Sequence, residues 1–171
     1  MMADLEHYIV GENDERLSTD SSDDVRQATQ ALARGARRSL LIFSQQLDSR
    51  IYNTQDFCDE LLRLATSSRR AQVFILIQDA NPIVKHGSRV VELSHRISSR
   101  LKLRKPPIEY QELAEEFVIA DERAVLHRHL ATRYEGELCF NSPLKARQLT
   151  KLFMECWEKS AGDPQLRRLY L

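Results

Sequence analysis

The sequence predicts an α/β protein with a mixed, mainly parallel β-sheet that is flanked by helices on both faces. Two compact apolar runs, residues 39–44 and 73–77, have the length and composition of buried strands. A stretch between them places Phe57, Leu61 and Leu64 at helical spacing. A strand, a helix and a second strand in this order predict a right-handed βαβ unit with a parallel pair of strands.

Length and charge divide the chain into three predicted parts. The 171 residues, of which 42% are hydrophobic and 29% charged, suit one globular domain. Residues 1–24 carry eight acids and one base, a net charge of −7, so the remainder has a net charge of +7. We expect an acidic flexible N-terminal arm over residues 1–20, one α/β domain over 21–162 and a C-terminal tail over 163–171. A basic body favours a polyanion, and solvated surface charge is the alternative interpretation.

The cysteines and the apolar runs bear on localisation and cofactors. Cys58, Cys139 and Cys156 lie in apolar patterns without the spacing of zinc ligands, which indicates buried, reduced thiols. No run has the length of a secretion signal or of a membrane span. We therefore expect a cytoplasmic protein that has no transmembrane segment, no metal and no cofactor.

The other elements follow from capping signals and short apolar runs. Ser21 with Asp24 three residues later predicts the start of a helix over residues 22–36. Residues 79–87 are predicted to form a loop, after which Ser88 caps the next helix. Four further strands are predicted at residues 101–104, 117–119, 124–130 and 137–140.

The last long helix is predicted from its start signal and its apolar stripe. Ser142 is a candidate N-cap, and Pro143 occupies the first helical position. Ala146, Leu149 and Phe153 then recur at helical spacing and are expected to be buried.

Local strings in this order of elements point to one known family. Residues 117–121, Phe-Val-Ile-Ala-Asp, resemble the strand and Asp that end a signature HxKxxxxD. Residues 73–79 are similar to the second strand of that family, and residues 137–157 to its closing strand and a helix with a terminal Trp. The family is that of the phospholipase D-like phosphodiesterases, and the resemblance covers one half of their fold over about residues 25–160.

The signature itself is degenerate in this chain. Counting back from Asp121 places Glu116 at the Lys position and Ala114 at the His position. In the resembled family, the His attacks phosphorus and the Lys holds a phosphate oxygen. Ala114 cannot be a nucleophile and Glu116 would repel a phosphate, so we carry over the fold and reject the family's mechanism.

Two histidines near the same motif are the remaining candidates for chemistry. Counting forward from Asp121 places Arg128 and His129 at the family's Gly-Ser pair. On a strand, His127 and His129 share one face and Arg128 lies on the other. The pair would bind a metal with Asp121 or Glu116 as a third ligand, bind an anion, or act as acid and base. Ordinary polar strand residues are the alternative.

The candidate ligand-binding residues come from the motif and from one loop. Lys85 and His86 follow the strand at residues 73–77, where open parallel sheets tend to bind ligands. Glu116 and Arg128 stand at motif positions, and a solvated loop is the alternative for Lys85 and His86. Basic clusters at residues 37–38, 69–70 and 100–105 are able to contact phosphates but lack the interleaved aromatics of a single-strand platform.

Three functions from different classes are compatible with these observations. The first is a catalytically degenerate binding or regulatory module with a residual pocket for a phosphate-bearing ligand or nucleic acid. The second is a structural protein that forms a homodimer or docks onto a second protein or domain, because the family's enzymes need two half-domains. Its arm and its C-terminal Leu-Tyr-Leu are candidate docking segments. The third is a hydrolase with altered chemistry that uses His127 and His129.

Overall fold

The computed structural model describes residue 2, residues 4–162 and residues 164–168. Its seven strands form one sheet, with a short 3₁₀ turn at Ile108–Tyr110. The strands are β1 (Arg16–Thr19), β2 (Ser39–Ser44), β3 (Gln72–Ile77), β4 (Leu101–Arg104), β5 (Glu116–Ala120), β6 (Ala124–Arg128) and β7 (Gly136–Cys139). The helices are α1 (Ser22–Gly35), α2 (Ser49–Tyr52), α3 (Gln55–Ser67), α4 (Asn81–His86), α5 (Arg89–Arg96), α6 (Pro143–Lys159) and α7 (Pro164–Arg168).

The sheet is mixed, as predicted, with the strand order β1-β7-β6-β5-β2-β3-β4. The predicted parallel pairing of β2 with β3 is confirmed, and β4 pairs parallel to β3. The other four neighbouring pairs are antiparallel. Five of the seven described strands point in the same direction, as expected for a mainly parallel sheet. Most neighbouring pairs are nevertheless antiparallel. The connections between β5, β6 and β7 are too short for the crossover that a parallel pair requires.

Each face of the sheet is covered by helices, which confirms the predicted layers. Helices α1, α3 and α5 pack on one face through a large apolar cluster that includes Leu40 and Ile42. Helix α6 packs on the other face, where Leu41 and Phe43 belong to a second cluster. The alternation of these β2 side chains follows from the two-residue period of a strand. Burial of each such side chain contributes about 1.5–3 kcal/mol of stability.

The predicted helix starts are confirmed by their caps. The Ser21 hydroxyl accepts from the amide of Asp24 (3.1 Å), and Ser88 accepts from the amide of Val91 (3.4 Å). Helix α6 begins at Pro143, as expected for a proline in the first helical turn.

The expectation of a flexible arm over residues 1–20 is wrong for the part that joins the sheet. Strand β1 pairs antiparallel to β7, which otherwise offers an open edge. Upstream, Leu5 is buried and the Tyr8 ring stacks on Phe140 with centroids 5.1 Å apart. Apolar contacts and ladder hydrogen bonds therefore hold this acidic segment on the domain.

The predicted loop over residues 79–87 is also wrong, because residues 81–86 form α4 with Pro82 in its first turn. In the predicted tail, α7 buries Leu166. The proposed Leu-Tyr-Leu docking segment, residues 169–171, lies outside the described residues. None of the helices in the described ranges combines the length and the apolar character needed to cross a membrane.

Asp121 ties the β5–β6 hairpin to the start of β2. It lies in the turn after β5 with a positive φ of 55°, a conformation that Asp tolerates. Its carboxylate accepts from the amides of Arg37 (2.9 Å), Arg38 (2.7 Å) and Ser39 (3.0 Å). Asp121 therefore satisfies the amides that lead into a central strand.

Replacing Asp121 should destabilise the fold. We expect Asp121→Ala to lower the free energy of unfolding by about 2–3 kcal/mol, because three amides lose a charged acceptor. Urea unfolding followed by circular dichroism measures this change. Glu122→Ala is the matched control, since Glu122 has a similar φ of 54° and an exposed carboxylate with no hydrogen bond among the described residues. Equal losses in the two variants would contradict the assigned role.

Candidate functional site

A buried ion pair occupies the position at which the degenerate motif stands. Glu116 begins β5 and Arg128 ends β6, and the register makes them direct cross-strand partners. Their side chains are only 4% and 3% exposed, and Arg128 Nη2 contacts Glu116 Oε2. The second Glu116 oxygen accepts from the Ser44 hydroxyl and from the amide of Gln45 (3.0 Å). The carboxylate is therefore fully engaged.

Arg128 is held equally tightly on its other side. Its Nη1 donates to the carbonyl oxygens of Arg133 (2.8 Å) and Ala131 (3.3 Å). Its guanidinium lies 5.7 Å from the Tyr134 ring centroid. A Cβ at Gly136 would approach the Arg128 Cγ to 2.8 Å, so the buried arginine requires glycine there.

This ion pair forms the floor of a cavity of about 290 Å³ at the carboxyl ends of β2 and β3. Three of the predicted ligand-binding residues, His86, Glu116 and Arg128, line it together. The fourth, Lys85, is exposed on α4 and does not line it. The other lining residues include Asp48 and Arg50 of the α2 region, Gln45, Gln46 and Ala131.

Sequence reasoning missed Asp48, Arg50 and Tyr134 because they belong to no motif. The Tyr134 hydroxyl donates to Asp48 (2.8 Å) and accepts from Arg50 (3.2 Å). One signal could have indicated Asp48 and Arg50. They follow β2, and parallel sheets tend to bind ligands at the carboxyl ends of their strands. Beneath them, burial raises the pKa of Tyr52 to about 12, against the opposing Arg128 charge, so Tyr52 is a neutral neighbour of the pair.

The two candidate histidines lie on the opposite face of the sheet. The His127 ring meets Phe117 edge-on, with centroids 6.2 Å apart, in the layer covered by α6. His127 is buried, and its Nε2 donates to Glu115 (2.6 Å). Its Nδ1 is buried and has no hydrogen-bond partner within the described residues. His129 is exposed, with its ring centroid 4.3 Å from that of His127.

Burial sets the protonation of His127. Removal of the ring from water lowers the pKa of His127 below its ordinary 6.5, and the nearby Lys145 and His129 act in the same direction. The hydrogen bond to Glu115 opposes this shift without cancelling it. His127 is therefore held as a neutral ring that packs in the sheet.

The predicted grouping of Asp121 with the two histidines is wrong. Asp121 lies at the turn of the β5–β6 hairpin, whereas His127 pairs with Phe117 near its open end. Glu116, the alternative third ligand, lies on the other face and is bound to Arg128. No group of three or more His, Cys, Asp or Glu side chains in the described part of the chain could hold a metal ion.

Solved structures identify the class of this fold, which is phospholipase D-like, as predicted. Nuc from Salmonella typhimurium, a phospholipase D family member, is 16% identical, with a TM-score of 0.60 over 86% of this chain and 96% of that chain. NucT from Helicobacter pylori is 13% identical, with a TM-score of 0.59 over 87% and 100% of the chains. TrmBL2, an archaeal chromatin protein with a novel mode of DNA binding, is 15% identical, with a TM-score of 0.61. That match covers 85% of this chain but only 52% of TrmBL2.

A family model also matches most of the sequence. Residues 21–169 match the family described as Domain of unknown function (DUF7931), and the chain belongs to it. No curated protein matches the sequence at a significant level.

Removing one partner of the ion pair should be costly. We expect Arg128→Met to lower the free energy of unfolding by about 3–5 kcal/mol, because Glu116 would be left as an unpaired buried charge. Chemical denaturation measures the loss. Arg133→Met removes an exposed neighbouring cation whose side chain has no hydrogen bond or ion pair among the described residues, and it should change stability by less than about 0.5 kcal/mol. An Arg128→Met protein as stable as the wild type would contradict the buried pair.

The lowered pKa of His127 predicts a dependence of stability on pH. Below pH 6.5 the unfolded chain gains a proton that the buried ring resists, so stability should fall as the pH drops through this value. His127→Gln should lessen the loss of stability between about pH 7.5 and 5.5, and His129→Gln should do so much less, because it removes only a minor cause of the lowered pKa of His127. Urea unfolding across this range tests the prediction. An undiminished slope in His127→Gln would show that another group causes it.

Proposed function

We propose that this chain is a phospholipase D-like binding domain that does not cleave phosphodiesters. The observation that carries this proposal is the buried Glu116–Arg128 pair, because Glu116 stands where the resembled family has the lysine that holds a phosphate oxygen. A fixed carboxylate at that point repels the charge that develops on a phosphoryl group.

The rest of the former site supports a non-catalytic role. Ala114 stands at the nucleophile position, and its carbonyl accepts from the amide of Ala131 (2.6 Å), which joins the segment before β5 to the segment after β6. The nearest histidine along the motif, His127, lies on the other face with its free ring nitrogen buried away from solvent. Arg128 would have to leave Glu116 to bind a phosphate, at a cost of about 3–5 kcal/mol.

Similar structures support binding of a phosphate-bearing ligand. TrmBL2 is described by its DNA binding, so the fold occurs in a protein with that role. At the motif position of this chain, the exposed basic side chains that line the cavity are Arg50 and His86. A small anion would therefore bind at the rim of the cavity and not at its floor.

A second candidate function is self-association over the same cavity. Two exposed apolar side chains, Val84 (42% exposed) and Leu130 (45% exposed), are sequence neighbours of the lining residues Ile83 and Ala131. A second copy docked there would cover them and give the homodimer that the family resemblance implies. Sedimentation of the wild type and of Val84→Glu/Leu130→Glu at about 10 μM tests this. We expect the wild type to sediment as a dimer and the double variant as a monomer.

The absence of phosphodiesterase activity is the direct expectation. The purified chain, incubated with bis(4-nitrophenyl) phosphate or labelled DNA, should give no turnover above buffer, with or without divalent cations, because the site has no nucleophile. His127→Ala/His129→Ala is the control for chemistry by the histidine pair. Hydrolysis by the wild type that this double substitution abolishes would contradict the proposal and favour the altered hydrolase.

A further inference from the structure

Exposed arginines gather at the end of the sheet opposite the former site. The adjacent parallel strands β2 and β3 begin in register, with Ser39 beside Gln72. Parallel strands start at the same edge of a sheet, so the pairs that precede them, residues 37–38 and 69–70, lie side by side. Sequence inspection finds these pairs far apart, and the strand order brings them together.

The cluster continues beyond these two strands. Strand β6 points the same way and is preceded by Arg123, while α6 starts nearby and carries Arg147. Arg38, Arg123 and Arg147 line one surface depression together with Asp121, and Arg34 and Arg37 line the next one. We call this set the arginine row, and its members are Arg34, Arg37, Arg38, Arg69, Arg70, Arg123 and Arg147, all exposed.

The guanidinium groups of the arginine row form few contacts with the rest of the protein. Among the described residues, Arg147 is the one member whose side chain has a hydrogen bond or ion pair, and it donates to the Pro143 carbonyl (3.4 Å). Nearby arginines outside the row are engaged, as Arg63 is with Glu60 and with the last carbonyls of α1. Three acids, Asp121, Glu12 and Glu122, line the two depressions, and Asp121 keeps its negative charge while it accepts from three uncharged amides. The seven arginines outnumber these acids, so the row has a net positive charge.

The geometry of the row fits the backbone of a nucleic acid. Its members at the strand ends span β6, β5, β2 and β3 at about 4.8 Å per strand, which makes the row roughly 15–20 Å long. Guanidinium groups bind phosphate oxygens through paired hydrogen bonds, and duplexes present phosphates in continuous lines. None of the large hydrophobic side chains exposed in the described residues is aromatic, so base stacking on single strands has no platform here.

We infer that the arginine row is a sequence-independent binding surface for double-stranded nucleic acid. The inference deepens the proposed function, on which it rests, by naming the ligand and by placing it at the amino end of the sheet. The strands β2 and β3 separate this surface from the former site by their six-residue length, roughly 20 Å. Binding at the row therefore leaves the Glu116–Arg128 pair undisturbed.

The test compares charge removal at the two ends of the sheet. Fluorescence anisotropy measures binding of the full chain to labelled DNA and RNA duplexes of about 20 base pairs between about 50 and 200 mM salt. Arg37→Gln/Arg38→Gln/Arg70→Gln should weaken binding roughly tenfold or more. It should also make the slope of log K against log salt shallower by about 2–3, because up to three phosphate contacts are lost.

The matched control removes the same charge from the other end. Arg89, Lys105 and Arg133 are exposed and lie at or beyond the carboxyl ends of the strands, so replacing all three by Gln should change affinity less than about twofold. Thermal melting by circular dichroism verifies that both triple variants are folded.

Each other outcome overturns the inference. If the wild type binds neither duplex at low salt, double-stranded nucleic acid is not the ligand. If both triple variants lose affinity equally, the binding depends on the net charge of the protein and not on the arginine row. Row-dependent binding to phosphatidylserine vesicles, with no binding to duplexes, would assign the surface to membranes. Failure of the proposed function would give a different result. The protein would then cleave the labelled DNA, and the DNA would become shorter, whether or not the arginine row binds it.

Discussion

The buried ion pair between Glu116 and Arg128 is the interaction on which the chemistry of this molecule depends. Two charges removed from water are tolerated only when each finds its partners, and one unpaired charge costs several kcal/mol. Ser44 and Gln45 donate further hydrogen bonds to the Glu116 carboxylate, and the carbonyl of Arg133 accepts one from the Arg128 guanidinium. Four segments of the chain are therefore committed to a closed polar centre, where the resembled enzymes need an open one.

This constraint divides the sheet into two unlike ends. At the carboxyl ends of β2 and β3, positive and negative groups face each other within one cavity and cancel. At the amino ends, the exposed arginines outnumber the acids beside them in the described residues. A polyanion gains little by entering the first end, because it must displace existing contacts, whereas at the second it displaces water and counterions. This difference supports the proposal that phosphates bind at the amino ends of the strands.

Periodicity and capping predicted most of the fold, because apolar runs and Ser or Thr caps are local signals. Strand β1 was missed because its pairing depends on an edge that β7 provides, and α4 was missed because no side chain caps it. The sequence singled out Glu116 and Arg128 separately, but only the β5–β6 register makes them partners. Asp121 and His127 were grouped because they are close in sequence, although a hairpin places them near opposite ends. The arginine row similarly required the order of the strands.

The most direct test of this account is to map where phosphates bind by NMR. The backbone amide and arginine Nε–H signals of ¹⁵N-labelled protein would be followed while a short DNA duplex is added at low salt. The account predicts that signals from Arg37, Arg38 and Arg70 shift, while the amide of Glu116 and the Nε–H of Arg128 stay in place. Shifts centred on Glu116 and Arg128, with the arginine row unchanged, would contradict it.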